Sequence, residues 1–256
     1  MIDNEQLKLS ILMPVRNEGV NIKIMLKILE AVLEVKHEIL IIHDDPSDDS
    51  IDIINHLHSK YPYVKLVLNN LGKGVVNAIK KGIEVSSGEY ILIFAVDEVG
   101  PVLAIDDMIA LLDDGCDFVS CTRYAYGGRR LGGSYIGGVL SRYSNRIFRL
   151  LSGTALTDST TGIKMFKKNI MNRIQLEAKP VGWAVVFELA IKCQLLEFKL
   201  GEVPIISIDR LFGGKSTFKL GPWVKEYLRW FWWGVKHLHS IKNKQKIIIK
   251  HPTQFN

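Results

Sequence analysis

The chain has 256 residues, 47% hydrophobic and 23% charged, with a formal net charge of +6. This supplies a full core at the upper size of a single domain, and the basic balance suits an anionic partner: nucleic acid, a phosphorylated substrate or an acidic lipid surface. Met1–Lys8 is polar and mixed in charge, so a signal peptide is not expected, and no apolar run approaches the ~20 residues of a spanning helix.

From Leu9 to Cys121, short β-rich apolar runs alternate with longer amphipathic stretches. The runs are Leu9–Met13, Glu38–His43, Val64–Leu68, Tyr90–Val96 and Phe118–Cys121. Between them, helical spacing predicts helices over Asn21–Val35, Ser50–Lys60, Val75–Ser86 and Ile105–Asp113. Repeated βα units imply an α/β fold with a mainly parallel central sheet flanked by helices. Ligands in such sheets bind at the carboxyl ends of the strands, so the residues just after each run carry the most weight. A glycine-rich basic loop at Tyr124–Gly138 feeds a helix over Ser141–Leu151. A helix over Trp183–Leu195, a strand near Leu200–Val203 and a polar loop at Asp209–Gly221 follow. The last helix, Pro222–His239, is rich in tryptophan, and Lys242, Lys244, Lys246 and Lys250 crowd the tail behind it. Residues 1–221 are therefore expected as the main domain and 222–256 as an amphipathic helix with a basic tail. Cys116, Cys121 and Cys193 have neither metal-ligand spacing nor an even count, and read as reduced thiols in a cytosolic setting.

Chemistry-bearing residues gather at the predicted strand ends. The first run ends in Pro14-Val15-Arg16-Asn17-Glu18, and the second in His43-Asp44-Asp45-Pro46-Ser47-Asp48-Asp49-Ser50. Carboxylates this crowded repel one another unless cations or donors offset them, which fits either a ligand site or a turn whose Asp48 or Ser50 caps the next helix. Gly72-Lys73-Gly74 precedes a helix, whose free N–H groups favour a phosphate, although a plain turn gives the same pattern. The Tyr90–Val96 run ends in Asp97-Glu98, oxygen ligands suited to Mg²⁺ or Mn²⁺ gripping a diphosphate. Arg142, Arg146 and Arg149 lie at one-turn spacings and make a basic helix face.

Taken in order, these motifs resemble glycosyltransferase family 2. Downstream, Cys121-Thr122-Arg123-Tyr124, Asp158-Ser159-Thr160-Thr161-Gly162, Glu188, Glu202-Val203-Pro204 and Asp209-Arg210 through Ser216 resemble its dolichol-phosphate mannose synthases and bacterial polyprenyl-phosphate transferases. That resemblance implies a GT-A fold, a nucleotide-sugar donor, and Mg²⁺ or Mn²⁺ as cofactor. It implies that Pro14, Arg16, Glu18, Asp44, Asp45 and Lys73 bind the nucleotide sugar, and that Asp97 holds the metal. Arg123, Arg142, Arg210, Lys215 and Ser216 would bind donor or acceptor phosphates, with Asp97, Arg123 and Glu188 catalytic. The family's Asp-x-Asp is replaced here by Asp97-Glu98-Val99, so Glu98 is either the second metal ligand or no ligand at all.

The resemblance further implies inversion at the anomeric centre. A phosphate acceptor needs no general base, whereas a hydroxyl acceptor calls for one, with Glu188 or Asp158 as candidates. Glu188 has the alternative role of bracing Arg123 or Arg142. The expected acceptor is a polyprenyl or dolichyl phosphate, with the enzyme peripheral on the cytoplasmic face of a membrane through its last helix. The alternatives are transfer to a saccharide hydroxyl and a non-catalytic nucleotide-sugar binder. Nucleic acid is not an expected partner, because base-stacking aromatics are not interleaved with the basic clusters.

Overall fold

The computed structural model describes residues 7–132, 135–208, 220–239 and 246–251. An eight-stranded sheet is built from β1 (Leu9–Pro14), β2 (His37–His43), β3 (Val64–Leu68), β4 (Tyr90–Ile93), β5 (Phe118–Thr122), β7 (Lys164–Lys167), β8 (Leu200–Pro204) and β10 (Ile248–Ile249). Its order is β10-β8-β5-β7-β4-β1-β2-β3. Every neighbouring pair is parallel except β4 with β7 and β5 with β7. The carboxyl ends of all strands but β7 therefore share one edge. The chain passes from β1 to β2 and β3 on one side, then returns to place β4 on the other side of β1. That reversal opens a crevice at the carboxyl edge between β1 and β4, the usual ligand site of such sheets.

Helices cover both faces. On one side α1 (Gly19–Val32), α2 (Asp49–Leu57) and α4 (Ile105–Asp113) bury residues such as Ile22, Met25, Leu29, Ile54 and Met108 against the sheet. The spacing Ile22, Met25, Leu26, Leu29 is one helical face, which is why α1 forms and docks where it does. On the other side lie α3 (Val75–Val85), α5 (Tyr135–Ser152), α6 (Ala184–Leu195) and α7 (Leu220–Leu238). Helix α6 is buried along nearly its whole length and is predominantly apolar to match, with Glu188, Lys192 and Gln194 as its polar residues. A second, two-stranded parallel sheet pairs β6 (Arg129–Leu131) with β9 (Ile206–Ile208) just beyond the ends of β5 and β8.

The segment from residue 222 packs with the rest of the described fold: Trp230 and Leu238 of α7 are 2% and 3% exposed in the core, and β10 extends the main sheet beside β8. The helix after the glycine-rich loop starts at Tyr135, six residues earlier than its polar periodicity suggests. No helix among the described residues is long and apolar enough to cross a membrane.

Candidate active site

The acidic run after β2 divides into four separate jobs. Asp48 caps α2 by accepting from the Ser50 N–H at 2.9 Å, and its other oxygen accepts from Asn17 N–H at 3.0 Å. Asp49 accepts from Gly19 N–H at 3.1 Å. These two carboxylates latch the loop after β1 to the start of α2, and Asn17 takes a left-handed φ of 56° in that loop. Glu18, half-buried, accepts from the Asn21 side chain at 2.6 Å. Pro14 ends β1 and Arg16 is exposed beyond it.

Asp44 turns toward the loop after β3. It accepts from Asn69 Nδ2 at 2.5 Å and from Gly74 N–H at 2.7 Å. At the start of α3, where the sequence offered a phosphate cradle or a plain turn, a carboxylate takes the Gly74 donor at the helix terminus. Gly74 is required there: its φ is 118° and Pro180 packs where a Cβ would stand. Lys73 instead reaches Asp45 at 2.9 Å. Hydrogen bonds from Lys73 and then Ser47 hold the Asp45 carboxyl well below the usual carboxylate range. The Asp45 side chain stays substantially open, at 47%, and Asp49 is exposed as well.

Beyond β4, Asp97 and Glu98 are half-buried in a turn at the same edge. Ser207 of β9 donates to Glu98 at 3.2 Å, and the backbone O of Ile206 crowds Gly100, leaving no room for a side chain there. The turn after β4 is thus clamped to the small β6–β9 sheet. Among the described residues no three His, Cys, Asp or Glu side chains converge as a metal cage. The pair nevertheless fits a hard divalent cation, since Mg²⁺-type sites use one or two carboxylates and leave the remaining positions to phosphates and water.

Arg123 follows β5. Its Nε and Nη2 donate to Asp158 at 2.7 and 3.0 Å, its backbone N–H donates to the same carboxylate at 3.2 Å, and Nη2 also reaches Thr160 Oγ1 at 3.3 Å. Asp158 is fully buried and the Arg123 side chain is 13% exposed. Burial alone would push the Asp158 carboxyl up, but the charge and hydrogen bonds of Arg123, with help from Lys164, bring it below its ordinary value. Burial likewise opposes the Arg123 charge, and Asp158 outweighs it, so the guanidinium stays ionised. Glu98 also acts on Arg123, which puts the β4 and β5 ends in one electrostatic neighbourhood. Helix α5 is fastened alongside: Tyr124 donates to Ser141 at 2.8 Å, Asn145 donates to Thr160 at 2.7 Å, and Ser159 N–H donates to Asn145 at 2.9 Å.

Pro14, Arg16, Glu18, Asp44, Asp45, Lys73, Asp97, Glu98 and Arg123 thus stand along one sheet edge. Arg142 is exposed on α5, one residue from Ser141, and Arg210, Lys215 and Ser216 lie outside the described residues. Glu188 is a correction. Fully buried, it accepts from the N–H groups of Glu177 and Ala178 at 2.6 and 2.7 Å and pairs with Lys192 at 2.7 Å, so it fastens the loop before α6 and neither abstracts a proton nor braces an arginine. Asp158, the other base candidate, is what braces Arg123. Sequence reasoning missed Lys164 and gave Glu202 only as part of a family motif, with no role beneath Asp158; a lysine inside the apolar stretch Ile163-Lys164-Met165-Phe166 was the available signal. A groove of about 500 Å³ lies at the opposite, amino edge of the sheet, lined in part by Ser87, Glu89, Lys167 and Lys168, and none of the sequence-derived site residues faces it.

The family model Glycosyl transferase family 2 matches residues 10–175. Dolichol-phosphate mannosyltransferase of Pyrococcus furiosus is 26% identical over 226 residues, covering 87% of this chain and 62% of that protein. Uncharacterized glycosyltransferase YibD of Escherichia coli is 33% identical over 119 residues, 46% of this chain and 34% of that one. The chain therefore spans less than two thirds of the length of either relative. Glucosyl-3-phosphoglycerate synthase of Mycobacterium tuberculosis, solved with Mn²⁺, UDP and glucosyl-3-phosphoglycerate, superposes with a TM-score of 0.69 at 13% identity, over 91% of this chain and 81% of that one. At that identity the likeness establishes the fold, which is GT-A. With the strand-end motifs in order along one sheet edge and two thirds of the chain matched, this protein belongs to glycosyltransferase family 2.

Proposed function

We propose that the chain is an inverting glycosyltransferase that moves a sugar from a nucleotide-diphosphate donor to a polyprenyl or dolichyl phosphate on the cytoplasmic face of a membrane. The observation that carries this reading is the pairing of two unlike charge clusters at one sheet edge: half-buried carboxylates after β4, and a guanidinium fixed by a buried aspartate after β5. Asp97, with Glu98, would hold Mg²⁺ or Mn²⁺, which when bound supplies positive charge to the departing nucleoside diphosphate. Asp45, Arg16 and Glu18 border the nucleoside side of the crevice, and Lys73 sets the orientation of Asp45. Arg123 keeps its Nη1 edge free of Asp158, which leaves planar donors for a phosphate oxygen in an environment of low dielectric.

The choice of a phosphate acceptor rests on proton accounting. Both carboxylates that could serve as a base are committed, Asp158 to Arg123 and Glu188 to two backbone N–H groups and Lys192. A phosphate oxygen is already anionic near neutral pH and attacks without one.

Surface chemistry supports the membrane location. Leu140, Tyr143, Ile147 and Leu150 of α5 are 58%, 58%, 48% and 82% exposed and repeat at helical spacing. Beside them run Arg142, Arg146 and Arg149, all exposed. Helix α7 packs against α5 through Phe231 and Phe148, with ring centroids 5.3 Å apart, and exposes Val224, Leu228 and Trp232. Of the α7 tryptophans, Trp230 is core and Trp232 is an exposed ring. Apolar stripes bordered by arginines suit an anionic lipid surface. Leu150→Glu combined with Leu228→Glu is predicted to lower co-sedimentation with phosphatidylglycerol vesicles at least ten-fold without lowering the melting temperature; unchanged binding would remove the membrane from the reading.

Incubation with a panel of nucleotide sugars, Mn²⁺ and either polyprenyl phosphate or oligosaccharides, read by product mass, tests the activity. A glycosylated lipid phosphate that disappears with chelator is expected. A glycosylated oligosaccharide instead would reassign the acceptor, and no product with any donor would leave a nucleotide-sugar binder.

A further inference from the structure

Residue pairing across the sheet places three polar side chains in one row. Ser120 of β5 is in register with Lys164 of β7 on one side and with Glu202 of β8 on the other. All three are fully buried, and the next residues on the same face, Phe118, Phe166 and Leu200, are apolar core. A lysine and a glutamate are costly there: replacing buried ion pairs by apolar residues of similar volume is often neutral or stabilising. Folding alone does not call for them.

Their contacts converge on a single residue. Glu202 accepts from the N–H groups of Thr157 and Asp158 at 2.8 and 3.1 Å and from Thr157 Oγ1 at 2.8 Å. Lys164 Nζ donates to Ser120 Oγ at 2.6 Å and to the Asp158 carbonyl oxygen at 3.4 Å. Asp158 is therefore gripped by both its backbone N–H and its backbone C=O, while its carboxylate takes the Nε and Nη2 of Arg123. Thr157 Oγ1 lies 2.7 Å from Thr122 Oγ1, tying the same turn back to the end of β5 immediately before Arg123.

We propose that Lys164 and Glu202 are positioning residues of the active site: they fix the Thr157–Asp158 turn so that Asp158 aims the Arg123 guanidinium at the substrate phosphate. This rests on the transferase reading for the word substrate, but the positioning itself does not. The groups around Lys164 are Asp158, Glu202, Cys121, Arg123 and Cys193; Glu202 faces Asp158 and Thr157, and Tyr227 of α7 is near enough to Arg123 and Asp158 to feel their charges. Burial pushes the Lys164 amine down to about 8, against the attraction of Asp158 and Glu202. It pushes the Glu202 carboxyl up to about 7, against the donors on Thr157 and Asp158. In a glutamine at 202 the side-chain oxygen can still accept from both backbone N–H groups, so Glu202→Gln should preserve the grip that Glu202→Ala removes.

The test observes Arg123 directly, in the full chain labelled with ¹⁵N-arginine and without ligand. The Arg123 Nε–H resonance is assigned by its loss in Arg123→Lys, and its exchange with water is measured. Slow exchange is expected in the wild type and in Glu202→Gln, and at least ten-fold faster exchange in Glu202→Ala and Lys164→Met. Ser120→Ala, which removes the nearest partner of Lys164 with little change in volume, should accelerate exchange at least three-fold and covers the case in which the other variants do not fold. An Arg123 resonance indifferent to the changes at 120 and, where folded, 164 and 202 overturns the proposal. In the transfer assay, Glu202→Ala should lower kcat with little change in donor KM, and Glu202→Gln should restore it. A wild type without turnover would count against the transferase reading while leaving the exchange result standing.

Discussion

The two halves of the carboxyl edge are built by opposite means. After β2 and β3 the ion pair is open: the side chains of Lys73 and Asp45 are 75% and 47% exposed, and they meet each other across loops. After β5 the charges are sealed: Asp158 is fully buried, the Arg123 side chain is 13% exposed, and Lys164 and Glu202 lie beneath them. An exposed pair in water gains little and is screened by salt, so it can exchange its partner for an incoming ligand at small cost. A buried pair with its hydrogen bonds filled does not reorganise, so its geometry is set before substrate arrives. In the proposed function the open half, which would take the donor, is arranged to be displaced and the other half to stay fixed. Catalysis by charge stabilisation needs both, because a nucleotide must enter and leave while the group that meets the developing charge holds its place.

Perturbing each half should give effects of different size and kind. The largest is on turnover: if Asp97 holds the cation as proposed, Asp97→Asn should lower the transfer rate by at least ~10³-fold while the melting temperature stays within a few degrees, since the residue is a half-buried turn carboxylate outside the apolar core. Comparable activity in that variant would move the metal elsewhere. On the sealed side the large effect is on the fold as well. Arg123→Ala leaves Asp158 buried without its cation and should cost ~3–5 kcal/mol in urea unfolding, along with transfer. A loss below ~1 kcal/mol would mean that water already reaches Asp158.

A subtler contrast is in pH. The Glu202 carboxyl rises from an ordinary value near 4.5 to about 7 in the folded chain because of burial. A raised carboxyl is protonated more readily when folded, so its contribution to stability is complete below 4.5 and is lost as pH rises through 7. Wild-type stability should therefore fall between pH 5 and 8 by up to ~3 kcal/mol from this group, and Glu202→Gln should flatten that slope. An identical slope in the variant would show that Glu202 is ionised throughout. The smallest effect belongs to the open half: Lys73→Ala should change stability by no more than ~0.5 kcal/mol and raise donor KM only a few-fold.

The division also decided what could be read from the sequence. Strands β1, β2, β4 and β5 were legible because each centres on a run of buried residues followed by a motif-bearing loop, and β3 as a short β-rich run at the sheet edge; the order of the loops carried the family and the fold. Strand β7 was not, since Lys164-Met165-Phe166-Lys167 is short and charged at both ends and becomes a strand only by pairing antiparallel with β4 and β5. The three-residue strands β6 and β9 depend on each other in the same way. Local reasoning found the carboxylates after β2 and β4 but could not tell which would face a ligand. Asp44 meets Gly74 from thirty positions away, and Glu188 meets the backbone of Glu177 and Ala178 through a turn of the fold. On α5 the arginine line was visible, while the exposed line of Leu140, Tyr143, Ile147 and Leu150 was not, because helical spacing alone does not say which apolar face the domain covers.

The most direct test is a crystal grown with Mn²⁺ and a nucleoside diphosphate, with anomalous scattering recorded at the manganese edge. The account predicts a peak in contact with Asp97 and the diphosphate, with the Arg123 guanidinium across the crevice and still joined to Asp158. A manganese peak and diphosphate lodged away from the β4 turn, or an Arg123 that has left Asp158 for another surface, would contradict it.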